Sequence, residues 1–179
     1  MKCVTEKEAY GMLTRMDKDE LLNCMVFHMM EDGSELYCKV KDCPQILIGN
    51  MAAVPVIQLD VTDKKEIREI AVTKEMCAVM GIAPEQLIRQ LQDNTAKQAI
   101  AIENIMDTMQ KRFNEKSDEK VSLYLATNYD FYNGASVLCA SNFFDKAVEA
   151  VKGSFYLLPS SRHELLLLPE SEIPRDIDP

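Results

Sequence analysis

Three features of the chain predict an α+β fold, a mostly antiparallel sheet with helices packed on one face. Short β-branched and leucine-rich runs recur between turn residues. Amphipathic helical stripes gather in residues 73–113 and 141–152 rather than alternating regularly with strands. The last of the apolar runs, Phe155–Leu158 and Leu165–Leu168, flank a polar Pro-Ser-Ser-Arg turn, which is the pattern of a hairpin.

Taken in order, Thr5–Met16 reads as a helix capped by Thr5, with Ala9, Met12, Leu13 and Met16 on one face. Asp17 caps a second helix reaching about Leu22. A hairpin then runs from Asn23–Glu31 to Glu35–Lys41 around Asp32-Gly33, its second arm alternating Leu36, Cys38 and Val40 with Tyr37, Lys39 and Lys41. A longer helix through Met25 and Met29 is the competing reading. Ile46–Val61 is β-prone, and Pro55 argues against a central ladder position for its middle. Asp63-Lys64-Lys65 turns the chain into a strand at Ile67–Val72. Thr73 caps a helix over Lys74–Met80 that Gly81 stops. Pro84 opens another helix, faced by Leu87, Ile88 and Leu91 and ended by Asp93-Asn94-Thr95. Ala99, Ile102, Met106, Met109 and Phe113 predict one helix over Ala96–Phe113, followed by a charged loop.

Val121–Thr127 is a strand by composition, and Asn133-Gly134 a turn pair, since glycine takes positive φ freely. Ala135–Cys139 reads as a short apolar strand. Ser141 or Asn142 caps a helix whose stripe is Phe143, Phe144, Ala147, Val148 and Val151, with Gly153 in the left-handed position beyond it. The unbroken Leu165–Leu168 predicts a strand covered on both faces. Residues 1–169 are expected to form one domain, with residues 1–42 a helix-hairpin appendage and residues 170–179 a flexible tail.

The chain has 179 residues and a formal charge of −9, a balance that repels nucleic-acid backbones and anionic lipid. No apolar run is long enough for a transmembrane helix, and the first residues lack the apolar core of a secretory signal, so a cytoplasmic location is expected. Six cysteines without such a signal predict free thiols.

Three stretches, Gly134–Glu170, Ile70–Thr95 and Cys43–Ile57, resemble an uncharacterised bacterial family, DUF5688, common in gut anaerobes. The most distinctive run is Pro-Ser-Ser-x-His-Glu, formed here by Pro159, Ser160, Ser161, His163 and Glu164; Asn94-Thr95 also matches. Gln45 and Asn50 stand where that family tends to show His and Asp. The resemblance implies a shared fold and no activity.

Ser160, Ser161, His163 and Glu164 bring a hydroxyl, an imidazole and a carboxylate within five residues, the inventory of a serine-type hydrolase. On a strand, however, His163 and Glu164 point to opposite faces, and no nucleophile elbow is present. A turn in which the hydroxyls bond local backbone explains the same residues. Cys24, His28, Cys38 and Cys43 form a Cys-x3-His-x9-Cys-x4-Cys set that suits tetrahedral zinc, although its spacing departs from paired Cys-x2-Cys knuckles. Buried thiols beside a core histidine are the alternative. Asn128, Tyr132 and Asn133, with Tyr129 and Asp130, form a polar aromatic loop suited either to ligand contact or to a turn. These features predict a small cytoplasmic non-catalytic interaction or accessory protein with no cofactor, meeting a protein partner rather than nucleic acid or membrane. A serine hydrolase and a zinc-stabilised binding module are the alternatives.

Overall fold

The computed structural model describes residue 11 and residues 15–61, 66–113 and 122–173. The expected Thr5–Met16 helix, the Asp63-Lys64-Lys65 turn and the end of the tail fall wholly or largely outside the described residues. Contacts divide the chain into two compact units, residues 1–95 and 96–179.

In the first unit, Asp17 caps α1 (Lys18–Asn23) reciprocally with Glu20. The chain then extends as β1 (Met25–Glu31). The expected second hairpin arm is instead a helix, α2 (Glu35–Val40). Ser34 Oγ accepts from the Tyr37 amide at 3.1 Å, and Lys39 reaches Glu35 one turn back at 2.9 Å. A cap and an i,i+4 pair outweigh an alternation only three apolar residues long.

The partner of β1 is β3 (Met51–Val61), in antiparallel register from Met25 opposite Ile57 to Glu31 opposite Met51. The stretch read as one β-prone run is broken at Gly49-Asn50, a two-residue hairpin from β2 (Ile46–Ile48) into β3. Gly49 has φ 60°, as the first position of a type II′ turn requires. On the same side of β3, farther along, pairs β4 (Glu66–Ala71). Thus β3 is central, and Pro55 lies in its middle, contrary to expectation. The Pro55 carbonyl accepts from the Val72 amide, so its nitrogen faces the same side. That side is the gap between the ends of β2 and β4, where no ladder amide is required.

The helices α3 (Lys74–Val79) and α4 (Pro84–Lys97) stand where the capping residues place them. Thr73 Oγ1 accepts from the Met76 amide at 3.2 Å, and Gly81 ends α3 at φ 61°. Asn94-Thr95 does not stop α4, because the buried Thr95 hydroxyl bonds the Leu91 carbonyl at 2.7 Å within the helix. Leu21, Phe27, Val54, Val72, Leu87 and Leu91 are fully buried.

The second unit is a four-stranded antiparallel sheet in the order β5-β6-β8-β7. Its strands are β5 (Ile100–Asn104), β6 (Tyr124–Asn128), β7 (Phe155–Ser161) and β8 (Glu164–Pro169). The single helix expected over Ala96–Phe113 is therefore a strand followed by α5 (Ile105–Phe113). Alternating Ile100, Ala101, Ile102 and Glu103 pair along β6, and Asn104 Oδ1 accepts from the Met106 amide at 2.9 Å, starting the helix there. Ala135–Cys139, expected as a strand, belongs to a buried 3-10 helix over Gly134–Cys139.

In α6 (Phe143–Val151), the expected stripe divides: Phe143, Ala147 and Val151 are buried, whereas Phe144 and Val148 are about half exposed. Asn142 sits at the N-cap but sends its amide to the Ala96 carbonyl. Lys152, not Gly153, takes the left-handed position, at φ 62°. Along central β8, Leu165 and Leu167 are fully buried and Leu166 and Leu168 partly so. One face of this strand is therefore closed and the other partly open. The α+β class holds, realised as two antiparallel sheets. No helix among the described residues is long and apolar enough to cross a membrane.

Candidate functional site

The β7–β8 turn and the loop after β6, two separate candidate sites in the sequence, form one polar corner of the second unit. Its floor is close packing. A Cβ on Gly134 would collide with Thr127 Oγ1 and with the His163 carbonyl. Gly134 is thus present for close approach, while Asn133, at φ 51°, takes the left-handed turn position. Around this contact the backbone groups find partners. The Thr127 hydroxyl donates to the His163 carbonyl at 2.8 Å. The Ala135 amide donates to the Arg162 carbonyl at 3.2 Å, and Asn128 Nδ2 to the Tyr132 carbonyl at 2.9 Å.

His163 is held by its neighbours' backbone and rings. The amide of Asn133, a residue only 1% exposed, donates to Nδ1 at 3.2 Å. The Tyr132 ring stands 5.4 Å away, tilted, with the Arg162 guanidinium over it. Arg162 Nε also lies 3.0 Å from His163 Nε2. A neutral imidazole offers one acceptor nitrogen, so both contacts cannot be hydrogen bonds in one tautomer. The Asn133 amide is buried and has no access to water, so it takes the acceptor; Arg162, exposed, has water as an alternative.

Neither serine reaches the ring in this set of bonds. Ser160 Oγ donates to Glu164 Oε1 at 3.3 Å, and Ser161 Oγ accepts from the His163 backbone amide at 3.0 Å. Ser160 sits at a register shift between Pro159 and Ser161. Neither turn residue, Arg162 nor His163, has positive φ, so the bulge supplies the twist that a primed turn otherwise provides. The corner is a set of local backbone bonds in which the imidazole serves as an acceptor.

Beside the corner lies a cavity of about 200 Å³. Ala101 and Glu103 of β5 pair with Thr127 and Leu125 of β6, so these four side chains share one sheet face and line it. Thr108 of α5 and the loop aromatics Tyr129 and Phe131 also line it. The Thr108 hydroxyl is 3.4 Å from Glu103 Oε2 and 3.3 Å from the Asn104 carbonyl. Tyr129 is 80% exposed, and Phe131 holds φ 56°, an uncommon conformation for a bulky residue. Thr127 belongs to both places, lining the cavity while bonding the turn.

In the first unit His28 is nearly buried, its Nδ1 2.7 Å from Glu69 Oε2. Gln58 Nε2 donates to the other Glu69 oxygen at 3.3 Å. Of its candidate co-ligands, Cys24 is half-buried, Cys38 exposed and Cys43 buried. Among the described residues no three His, Cys, Asp or Glu side chains gather as a metal-holding group. Burial pushes the Cys43 and Cys77 thiols up, and the Cys139 thiol up to about 12.

Glu103 and Thr108 are absent from the sequence-level candidates because residues 96–113 read there as one helix, which hides the sheet face they share. Phe131 carries no local signal beyond a polar loop. The model of a family of unknown function, DUF5688, matches residues 35–177, a span that includes all three stretches carrying the resemblance. No curated protein and no solved structure matches this chain.

Proposed function

We propose, for a chain that belongs to the family of unknown function DUF5688, a non-catalytic role as an interaction or accessory protein. The observation that carries this reading is the bonding of the two serines, Ser160 to Glu164 and Ser161 to the His163 backbone. Acyl transfer by a serine requires its oxygen within hydrogen-bond reach of a base that a third group orients. Here the ring nitrogen that can accept is engaged by a buried backbone amide. What the corner does well is hold the loop carrying Tyr129 and Phe131, two exposed aromatics at the edge of an apolar cavity. Exposed aromatics on a rigid support are the anchors that protein interfaces favour.

The partner that fits a chain of formal charge −9 is a basic protein. A cytoplasmic setting agrees with the five described cysteines, all free thiols. Incubation with a serine-reactive fluorophosphonate tests the role: no label is expected at Ser160 or Ser161. Stoichiometric labelling of either serine, lost in His163→Ala, would establish hydrolysis instead.

A further inference from the structure

We propose that the outer edge of β7 is a self-association surface, on which a second copy of this chain lays its own β7 and joins two sheets into one; this does not rest on the non-catalytic role above. β7 stands at the end of the order β5-β6-β8-β7, and among the described residues it pairs with β8 alone. A sheet edge presents a row of backbone donors and acceptors, which proteins ordinarily blunt with charges, a proline or a bulge. Here the blunting is confined to one half. Pro159 and the bulge between Pro159 and Ser161 interrupt the C-terminal half, whereas Phe155–Leu158 has neither. In a chain that is 27% charged, no residue of β7 carries a charge. Tyr156 lies opposite Leu168 and Leu158 opposite Leu166, so these four share one sheet face. Tyr156 is 49% and Leu158 42% exposed, and Leu166 and Leu168 are only partly covered. An uncharged edge beside exposed apolar side chains is a template for another strand.

Charges at the two ends of the strand identify the occupant. Glu170 and Glu172 stand exposed beside the start of β7, where the Glu170 amide bonds the Ser154 carbonyl. Arg162 stands exposed just beyond its end. A copy of β7 running antiparallel carries its Arg162 toward Glu170 and Glu172 of the first chain, and the two-fold axis repeats the contact. Lys152 before the strand and Glu164 after it are matched in the same way. A parallel copy would set like charges against each other. With the axis normal to the sheet, like faces stay together, so Tyr156 and Leu158 of the two chains become cross-strand neighbours. The two-fold pairing uses the edge in both copies, so the assembly closes as a dimer. Phe155–Leu158 and its flanks fall short of the roughly 800 Å² per partner of a standard interface, so the dimer is weak, with a dissociation constant on the order of 10 μM.

Sedimentation velocity of the full chain across a dilution series tests this, with a monomer–dimer equilibrium expected. Tyr156→Lys and Leu158→Lys, at half-exposed positions and with folding checked by circular dichroism, should each weaken dimerisation at least tenfold. Arg162→Glu should weaken it severalfold, and adding Glu170→Arg and Glu172→Arg to that variant should restore it. Mixing isotope-labelled with unlabelled wild-type chains should give intermolecular NOEs between backbone protons of Phe155–Leu158 in the two copies, a readout that needs no variant to fold. A chain that stays monomeric up to about 1 mM would overturn the proposal and leave the edge to a strand of another protein. A dimer unmoved by both lysine variants, or one without those NOEs, would overturn it by placing the contact on another surface. A dimer of unchanged strength in Arg162→Glu would overturn the antiparallel matching of the ends.

Discussion

His28 and His163 are the chain's two histidines, and the sheets that carry them use the imidazole in opposite ways. In the first unit, His28 stands opposite Val54 on β3 and Gln58 stands opposite Glu69 on β4, so all four share one face. Glu69 reaches across the central strand to His28, and both side chains are nearly fully buried. In the second unit, His163 sits at a hairpin turn, partly exposed, and accepts from backbone. A buried side-chain pair depends on both members, because each offsets the desolvation of the other. A turn histidine bonded to one amide matters only as much as that amide does. The same residue type therefore contributes very different stability in the two places, and neither arrangement sets a serine against a base.

The comparison breaks most visibly at Glu69. Glu69→Ala strands His28 and Gln58 in the interior and is expected to cost about 3–5 kcal/mol in urea denaturation. Combining His28→Leu with Glu69→Leu should recover most of that loss, since an apolar pair needs no partner. Unchanged stability in Glu69→Ala alone would show that the pair is not buried in solution.

In the second unit, Gly134→Ala forces the Thr127 side chain and the β7–β8 turn apart and should cost about 1–3 kcal/mol, the scale of overpacking. His163→Ala leaves the Asn133 amide without its acceptor and is also expected to cost about 1–3 kcal/mol in the same measurement. Ser160→Ala, whose bond to Glu164 is exposed, should stay within about 0.5 kcal/mol. A loss at Ser160 matching that at His163 would mean the turn is held by side chains rather than by backbone.

Alkaline titration sharpens the contrast between buried and exposed groups in a graded way. Cys139 is 3% exposed, and its thiol is pushed up to about 12 from 9.0 by burial. The unfolded chain releases that proton first, so the contribution to stability is complete below pH 9 and declines as pH rises toward 12. The slope is up to about 1.4 kcal/mol per pH unit, and Cys139→Ala should flatten it. Cys38, exposed on α2, should react with a thiol reagent at neutral pH while Cys139 stays protected until the protein unfolds.

Where local chemistry is strong, the sequence reads correctly. Thr73, Gly81 and Pro84 place α3 and the start of α4, because a cap, a left-handed stop and a first-turn proline act within a few residues. Phe155–Leu158 and Leu165–Leu168 do form a hairpin around the polar turn. The reading fails where two periods coincide. Ala99, Ile102 and Met106 fit a helical stripe, yet Ile100–Asn104 also alternates, and only pairing with β6 decides for a strand. Leu36, Cys38 and Val40 alternate, but β1 finds its partner in β3, beginning twenty residues on from Glu31 at Met51, leaving that segment to its cap. Of the candidate site, the turn and the loop were each legible, and their meeting was not. Nor did the expectation that Gly134 serves positive φ hint at its actual role, spacing two backbones.

By itself the sequence determined the elements governed by nearest neighbours: capped helices, the final hairpin, an acidic chain and an inventory of polar groups at Pro159–Glu164. Tertiary structure alone decided which of those groups meet, because sheet register joins residues distant in the chain and sends alternate side chains to opposite faces. That is why Glu103, silent in the sequence, lines a cavity, while Ser160 and His163, conspicuous there, are parts of a turn.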